Sequence, residues 1–222
     1  MTTALALEPT KERAVNCGRK GRLLNKPRRT RGQEMTENDR PAGREPLSQP
    51  FPHEGLRLGG FDADTLSPGH ANSVQKLFEA DLCYFEIVDA APPGPAAAHN
   101  LFIELPPDKN YGDKFVIGCF DCGELIGVID LIRHYRVEHH WFLGLLFLDP
   151  RRRGQGNGAR IVRDLEEALR RLGGRSLGLA VIERNVRALQ FWQRMGFDEE
   201  RRSERSVGMG QLLPVVVFGR TL

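Results

Sequence analysis

Residues 153–158, Arg-Gly-Gln-Gly-Asn-Gly, have the types and the spacing of a phosphate-binding loop. Glycines at alternate positions let backbone N–H groups converge on a ligand with no side chain in the way. The apolar positions of residues 161–172 repeat at helical spacing, so the glycines lie at a helix N-terminus, where anions are favoured. Residues 151–153 are three consecutive arginines that add positive charge. The sequence therefore predicts a phosphate cradle at this loop.

Two strands are expected to flank the helix that follows the cradle. Residues 141–148 form an uncharged apolar run, short enough for a buried strand and ended by the Asp-Pro pair at 149–150. A glycine pair at 173–174 ends the helix. Residues 176–182 then place apolar side chains at alternate positions, as in a second strand. The cradle is thus predicted to lie between two strands of one sheet.

A second segment, residues 185–197, follows one strand later, and the two segments together resemble the GNAT superfamily of acyl-CoA-dependent N-acyltransferases. The family's Arg/Gln-x-x-Gly-x-Gly/Ala signature is matched by Arg153, Gly156 and Gly158. Its downstream Asn-x-x-Ala-x-x-Phe-Tyr-x-x-x-Gly-Phe pattern is matched by Asn185, Ala188, Phe191, Gly196 and Phe197. The chain departs from the pattern at Trp192, where many members have a tyrosine. The resemblance covers residues 141–197.

The resemblance implies a single α/β domain over residues 51–222, with a mixed, mostly antiparallel central sheet flanked by helices. Two central strands would splay apart, and the pantetheine arm of the acyl donor, acetyl-CoA, would lie in the gap. The implied coenzyme-binding residues are Leu146, Phe147, Leu148, Arg153, Gly154, Gln155, Gly156, Asn157, Gly158, Asn185 and Ala188. Backbone groups of Leu146 and Leu148 would pair with the pantetheine amides. A free N–H near Phe147 or Leu148 would polarise the thioester carbonyl, and Asn185 would cap its helix, with or without contacting the coenzyme arm.

The general acid and the general base of the site are not identified by the family's pattern. An attacking amine must lose a proton, and the departing thiolate benefits from an acid. In many family members that acid is the tyrosine replaced here by Trp192, whose indole N–H does not titrate at neutral pH. A carboxylate often found on the strand before the cradle is also absent, because Gly144 stands near its place. The candidate substitutes are Tyr84, Glu86, Asp130, Tyr135 and His140, and the acceptor-binding residues expected are Tyr84, Glu86 and Tyr135.

The preferred route is direct attack within a ternary complex, with water as the proton relay. The expected reaction is acetyl transfer to a primary amine, without a metal. A non-catalytic acyl-CoA-binding module, recruited to a partner by a basic tail, is the alternative. A dinucleotide site is a further alternative, because Gly154, Gly156 and Ala159 fit G-x-G-x-x-G/A. It is disfavoured because residues 149–153 separate the strand from the glycines and little chain follows Glu183.

The charge is concentrated in the first residues. Residues 1–50 hold eleven Lys and Arg against six Asp and Glu, whereas the rest of the chain holds 21 against 23. Residues 1–50 lack aromatic residues and periodicity, which predicts a disordered basic leader, with a translation start at Met35 as an open alternative. The nearly neutral remainder argues against nucleic-acid binding.

The expected location is the cytoplasm, since neither a secretory signal nor a membrane-spanning run is visible. The expected partners are a small-molecule or peptide amine and, as a further option, a second copy of the chain. Cys119 and Cys122 form a C-x-x-C motif, which is interpreted as two hairpin-turn cysteines because no second pair of ligands has zinc-site spacing.

The rest of the pattern supplies the other elements. It predicts a strand at residues 56–61, helices at 67–81 and 96–105, a hairpin of 114–120 and 125–135, and a last strand at 212–218.

Overall fold

The computed structural model describes residues 51, 55–207 and 211–222. The expected leader at residues 1–50 and the alternative start at Met35 lie outside the described residues. In the described part, eight strands form one sheet in the order β1-β2-β3-β4-β5-β6-β8-β7. The strands are β1 (Arg57–Leu58), β2 (Phe61–Thr65), β3 (Lys114–Asp121), β4 (Glu124–Arg133), β5 (His140–Leu148), β6 (Ser176–Ile182), β7 (Asp198–Ser206) and β8 (Leu212–Thr221). The helices are α1 (Ala71–Glu79), α2 (Leu82–Asp89), α3 (Ala97–Ile103), α4 (Asn157–Arg171) and α5 (Val186–Arg194).

The sheet is mixed and mostly antiparallel, which confirms the expected fold class. Among the described strands only β5 and β6 pair in parallel, because α4 crosses over between them. Helices cover both faces of the sheet, and neighbouring residues of β4 show the two layers. Val128 packs with the buried residues of α1, α2 and α3, whereas Ile129 packs with those of α4 and with Trp192 of α5.

The central strands splay apart as the resemblance implies. β5 and β6 pair only from His140 to Leu143, opposite Ser176 to Leu179. Beyond Leu143 the register of β5 against β4 shifts, leaving Gly144 as the extra residue of a β-bulge. A bulge bends its strand and increases the local twist. Because β6 stays paired with β8 as far as Ile182, the bend in β5 opens a gap between the two strands.

The expected single strand at residues 56–61 is wrong. Arg57–Leu58 and Phe61–Thr65 are two antiparallel strands joined by a turn at Gly59 and Gly60, whose φ values are +65° and +86°. A Gly-Gly pair adopts such left-handed conformations without the steric penalty of a side chain, which makes it a hairpin signal. The residues predicted as one helix, 67–81, are a short 3-10 turn at Pro68–His70 followed by α1.

No local pattern predicts β7, which among the described strands lies at the edge of the sheet and pairs only with β8. Its residues, Asp-Glu-Glu-Arg-Arg-Ser-Glu-Arg-Ser, lack the apolar alternation of a half-buried strand. A charged edge strand of this kind resists pairing with other chains. The pattern also assigns no element to residues 82–89, which form α2. The remaining strands and helices lie within a few residues of their expected positions. No helix of the described residues is long and apolar enough to cross a membrane.

Candidate active site

A cleft lies where β5 and β6 diverge, and it reaches both faces of the sheet. Its walls on the strands are formed by Leu143, Gly144, Leu145 and Leu146 of β5 and by Leu179, Ala180, Val181 and Ile182 of β6. Asn185, Ala188 and Trp192 line it from the α5 side. Tyr84, Phe85, Val88, Asp89, Leu101, Asp130 and Arg205 line it from the α2 side. The cleft is therefore lined by residues from both sides of the sheet.

The free edge of β5 carries the backbone groups that face this gap. The Asp149 N–H donates to the Ile126 carbonyl of β4 at 2.8 Å. Residues of an antiparallel strand alternate in the direction of their backbone groups, so Phe147 also points toward β4. Leu146 and Leu148, one position out of phase, direct their N–H and C=O groups toward the gap. Of these two residues, Leu146 also lines the cleft.

The glycine loop has the geometry expected of a cradle. Gly154 has φ +75°, and Gly156 has φ +77° and is the N-cap of α4. A Cβ added at either glycine would meet no atom within 4 Å, so the space above the loop is open to a ligand. Gly158 differs, because a Cβ there would lie 3.5 Å from the Phe191 ring, where α4 packs on α5. The loop, the N-terminus of α4 and the free edge of β5 fit a pyrophosphate followed by an extended amide chain.

The arginines beside the loop are not free positive charges, in contrast to the expectation. Arg151 forms ion pairs with Asp149 and Glu124, at 2.6 and 3.0 Å. Arg152 pairs with Asp121 at 2.7 Å. The hydrogen bonds from Arg151 lower the pKa of the Asp149 carboxyl, which keeps this partner ionised. Attraction of an anion therefore depends on the backbone N–H groups and the helix dipole more than on these side chains.

Arg153 connects the loop to the neighbouring elements rather than pointing at a ligand. Its Nε donates to the Leu148 carbonyl at 2.8 Å, and its Nη1 lies 2.5 Å from an Asp81 carboxylate oxygen. Its guanidinium also stacks over the Phe147 ring, 5.0 Å from the centroid. Asp81 caps α2 by accepting from the Tyr84 N–H at 3.1 Å. Arg153 thus fixes the start of the loop against β5 and α2.

The polar side chains between the glycines stabilise the loop itself. Gln155 donates from Nε2 to the Arg151 carbonyl at 3.2 Å. Asn157, which is 4% exposed, donates from Nδ2 to the Arg152 carbonyl at 2.8 Å and accepts from the Arg160 guanidinium. Because both side chains form hydrogen bonds within the loop, Gln155 and Asn157 can contact a phosphate only through their backbone N–H groups.

Asn185 caps α5, since its Oδ1 accepts from the Ala188 N–H at 3.2 Å. Both residues line the cleft, and so does Trp192, which is 6% exposed. The indole stacks edge-on against Phe191 and Phe197, with ring centroids 4.9 and 5.1 Å apart. Trp192 is thus both a core residue and part of the cleft wall.

The three expected acceptor-binding residues are separated by the fold. Tyr84 lines the cleft, and burial, followed by the nearby Asp89 charge, raises its pKa to about 12. Glu86 is exposed on α2 and does not line the cleft. Tyr135 is buried against Phe142, with ring centroids 4.6 Å apart, and also lies outside the cleft wall.

The two other candidate bases, Asp130 and His140, differ in their position relative to the cleft. Asp130 lines the cleft, whereas His140 does not. The Nδ1 of His140 lies 2.8 Å from the Ser176 hydroxyl, and burial lowers the pKa of its imidazole. Of the five residues considered as substitutes for the missing acid and base, Tyr84 and Asp130 are therefore the two that line the cleft.

Two buried ion pairs lie on the α2 side of the cleft, and no sequence pattern predicts them. Asp130 pairs with Lys114 at 2.7 Å, with side chains 1% and 3% exposed. Asp89 pairs with Arg205 at 2.9 Å, with side chains 10% and 8% exposed. Arg205 belongs to β7, and nothing in that charged strand distinguishes the one arginine that turns inward. Burial raises the pKa of both carboxyls, while the paired cations oppose the shift.

The C-x-x-C cysteines lie at the β3–β4 hairpin, as expected. Cys119 is buried in β3, and Cys122 is exposed in the turn. In the described part of the chain, no group of three or more His, Cys, Asp or Glu residues could hold a metal ion.

Comparisons with known proteins agree with this architecture. A family model described as "Acetyltransferase (GNAT) family" matches residues 74–197, more than half of the chain. A probable GNAT-family acetyltransferase from Chromobacterium violaceum has TM-score 0.61 and 17% identity, over 88% of this chain and 97% of that one. An acetyltransferase from Thermus thermophilus has TM-score 0.57 and 20% identity, over 73% of this chain and 97% of that one.

A ribosomal-protein-alanine N-acetyltransferase from Brucella melitensis has TM-score 0.54 and 15% identity, over 72% of this chain and 99% of that one. At these identities the solved structures show a shared fold. The family model matches the residues that build the cradle, α4, β6 and α5. The chain therefore belongs to the GNAT family of acetyltransferases.

Proposed function

We propose that the protein transfers the acetyl group of acetyl-CoA to a primary amine, by direct attack within a ternary complex. The observation that carries the proposal is the free edge of β5, which runs from the cleft at Leu146 to the glycine loop at Gly154 and Gly156. An amide-containing chain can pair with this edge as an added strand while its phosphates reach the N-terminus of α4.

In this proposal the chain's own groups bind and orient the donor. The N–H groups of the glycine loop hold the pyrophosphate, and the Leu146 carbonyl and the Leu148 N–H, both on the open edge of β5, hold the pantetheine amides. The thioester supplies the activated acetyl group. Negative charge develops on its oxygen during attack, and a fixed backbone donor stabilises that charge by about 3 kcal/mol.

Leu146 is the residue we assign to that donor. The family resemblance implies a donor near Phe147 or Leu148, but the Phe147 N–H is directed toward β4. Leu148 lies outside the cleft wall, and its carbonyl already accepts from Arg153. Leu146 both faces the gap and lines the cleft, so its N–H is the one positioned to polarise the acetyl carbonyl.

The acceptor enters from the α2 side, where Tyr84, Asp89, Asp130 and Arg205 line the cleft. Each carboxylate there is paired with a cation, so the entrance is polar without a large net charge. Because the Brucella melitensis neighbour is a ribosomal-protein-alanine N-acetyltransferase, the amine of an alanine residue is one acceptor to test. For this chain that acceptor is a hypothesis, and a small-molecule amine is equally compatible with the cleft.

The test is release of free thiol from acetyl-CoA in the presence of a panel of amines. The panel contains 2-phenylethylamine, spermidine, L-lysine and a peptide beginning with alanine, and the N-acetyl product is identified by mass spectrometry. Amine-dependent thiol release with matching product is expected for at least one of them. The rival function, a non-catalytic acyl-CoA-binding module, predicts binding of acetyl-CoA with no amine-dependent release.

A further inference from the structure

The carboxylate of Asp130 occupies the space over Gly144 of β5. A Cβ added at Gly144 would lie 2.8 Å from Asp130 Oδ2. Asp130 and Leu145 are directly opposite each other across the β4–β5 ladder, and Gly144 is the bulge residue beside them. Any side chain at position 144 would therefore displace the carboxylate. Glycine is required at position 144 because the Asp130 side chain of the neighbouring strand fills the space that a side chain would need.

The two oxygens of this carboxylate have different surroundings. Oδ1 accepts from the Lys114 ammonium at 2.7 Å. Oδ2 lies on the side of Gly144, and both Asp130 and Gly144 line the cleft. Lys114 is itself only 3% exposed, so the pair is held rigidly by β3 and β4. One oxygen is thus fixed by the lysine, while the other lies on the Gly144 side, in the wall of the cleft.

We propose that Asp130 is the catalytic base, which accepts the proton of the acceptor amine through Oδ2. The proposal rests on the acetyltransferase activity proposed above. An ammonium R–NH₃⁺ entering from the α2 side transfers one proton to Oδ2, and the neutral amine attacks the acetyl carbonyl held by the Leu146 N–H. The new C–N bond forms, the C–S bond breaks with its electron pair on sulfur, and the thiolate takes the second proton from nitrogen. Asp130 then releases its proton to solvent, which leaves the amide, the free thiol and one H⁺.

The electrostatic surroundings suit this role. Burial raises the pKa of Asp130 above that of an exposed carboxyl, which makes it a stronger base, while the charge and the hydrogen bond of Lys114 oppose the shift. The other charged or titratable groups lining the cleft are Tyr84, Asp89 and Arg205. The pKa of Tyr84 is raised to about 12, so its hydroxyl stays protonated near neutral pH. The Asp89 carboxylate forms an ion pair with Arg205. Asp130 is therefore the cleft carboxylate with an oxygen left for the substrate.

The test is the pH dependence of kcat with saturating acetyl-CoA and the most active amine of the panel. A base must be deprotonated to act, so kcat falls as the pH drops through the pKa of Asp130 and gives an acid limb. Asp130→Asn removes this limb and lowers kcat by about 100-fold or more, with acetyl-CoA affinity preserved. Lys114→Met removes the charge that lowers the pKa of Asp130, so the limb moves to higher pH.

Asp89→Asn is the matched control, because it breaks an ion pair of similar burial in the same cleft. It is expected to keep the acid limb at its wild-type position, whatever its effect on KM. If Asp130→Asn does not fold, the double variant Lys114→Met/Asp130→Asn removes both buried charges and is the better tolerated change. A wild-type kcat without an acid limb, or an acid limb that persists in Asp130→Asn or the double variant, would overturn the proposal. Absence of any amine-dependent thiol release by the wild-type protein would instead refute the transferase activity itself.

Discussion

Trp192 stands at the position where the family's pattern has a tyrosine, and its indole lines the cleft. An indole N–H does not titrate at neutral pH, so it cannot protonate the departing thiolate. The structure accounts for the bulk of this residue, which packs between Phe191 and Phe197 at the base of α5. Departure of the thiolate must then rely on protons from the amine or from water.

The Trp192→Phe variant tests this account of the missing acid. It should lose stability through the loss of buried area but keep turnover within about tenfold, a barrier change of about 1.4 kcal/mol. Trp192→Tyr, which restores a phenol, should raise turnover only if protonation of the thiolate limits the rate. Steady-state kcat and thermal unfolding are measured together. Phe197→Leu, at a buried residue outside the cleft wall, is the control for lost packing alone. A much larger fall in kcat for Trp192→Phe with unchanged coenzyme affinity would show that the indole N–H acts on the substrate.

At the scale of elements, α4 offers a matched pair of glycines at its two ends. Gly156 precedes the helix and Gly173 follows it, and both have φ +77°. A Cβ at Gly156 would meet nothing within 4 Å, and one at Gly173 would make only an ordinary contact with His139 at 3.8 Å. Alanine therefore costs the same kind of backbone strain at either end, about 1–2 kcal/mol. Only the Gly156 end faces the proposed phosphate site.

Gly156→Ala should weaken coenzyme A binding by at least about tenfold, because its methyl group enters the space of the phosphate oxygens. Gly173→Ala should lose as much thermal stability as Gly156→Ala but bind coenzyme A like the wild-type protein. Affinity is measured by isothermal titration calorimetry. Equal affinity in the two variants would remove the glycine loop from the coenzyme site.

The elements that position the site could be predicted from sequence because each carries a strong local signal. The uncharged run of β5, the glycine loop, the helical period of α4 and the Asn-capped α5 all lie where the patterns indicate. β7 and its inward-facing Arg205 could not be foreseen, since a charged edge strand has no hydrophobic alternation. The Gly59-Gly60 turn is a recognisable hairpin signal, but it is hidden at the end of an apolar run that resembles one strand. The ion pairs of Arg151 with Glu124, Arg152 with Asp121 and Arg153 with Asp81 join residues far apart in sequence, so local pattern does not predict them.

At the scale of the whole molecule, Phe51 belongs to the core of the described part of the chain. This residue is 1% exposed and packs against Phe115 and Trp141, with ring centroids 5.6 and 6.2 Å apart. The domain boundary at residue 51 is a prediction from the sequence. The disordered basic leader at residues 1–50 stays a prediction.

A protein that starts at Gln49 should unfold at nearly the temperature of the full chain and keep its acetyl-CoA affinity. Phe51→Ala in the same shortened protein should cost about 3–5 kcal/mol, the usual loss for truncating a buried phenylalanine. Chemical denaturation provides both free energies of unfolding. Loss of acetyl-CoA binding in the protein that starts at Gln49 would show that residues 1–48 contribute to the coenzyme site.

The central claim, that acyl-CoA binds along the free edge of β5 between the cleft and the glycine loop, is tested most directly by residue-resolved amide hydrogen exchange. The measurement compares the protein alone with the protein saturated with acetyl-CoA, by NMR. We expect slower exchange at Leu146 and Leu148, whose N–H groups face the gap, and at the glycine loop, with little change at Phe147. Unchanged exchange at Leu146 and Leu148, with protection appearing elsewhere in the molecule, would contradict it.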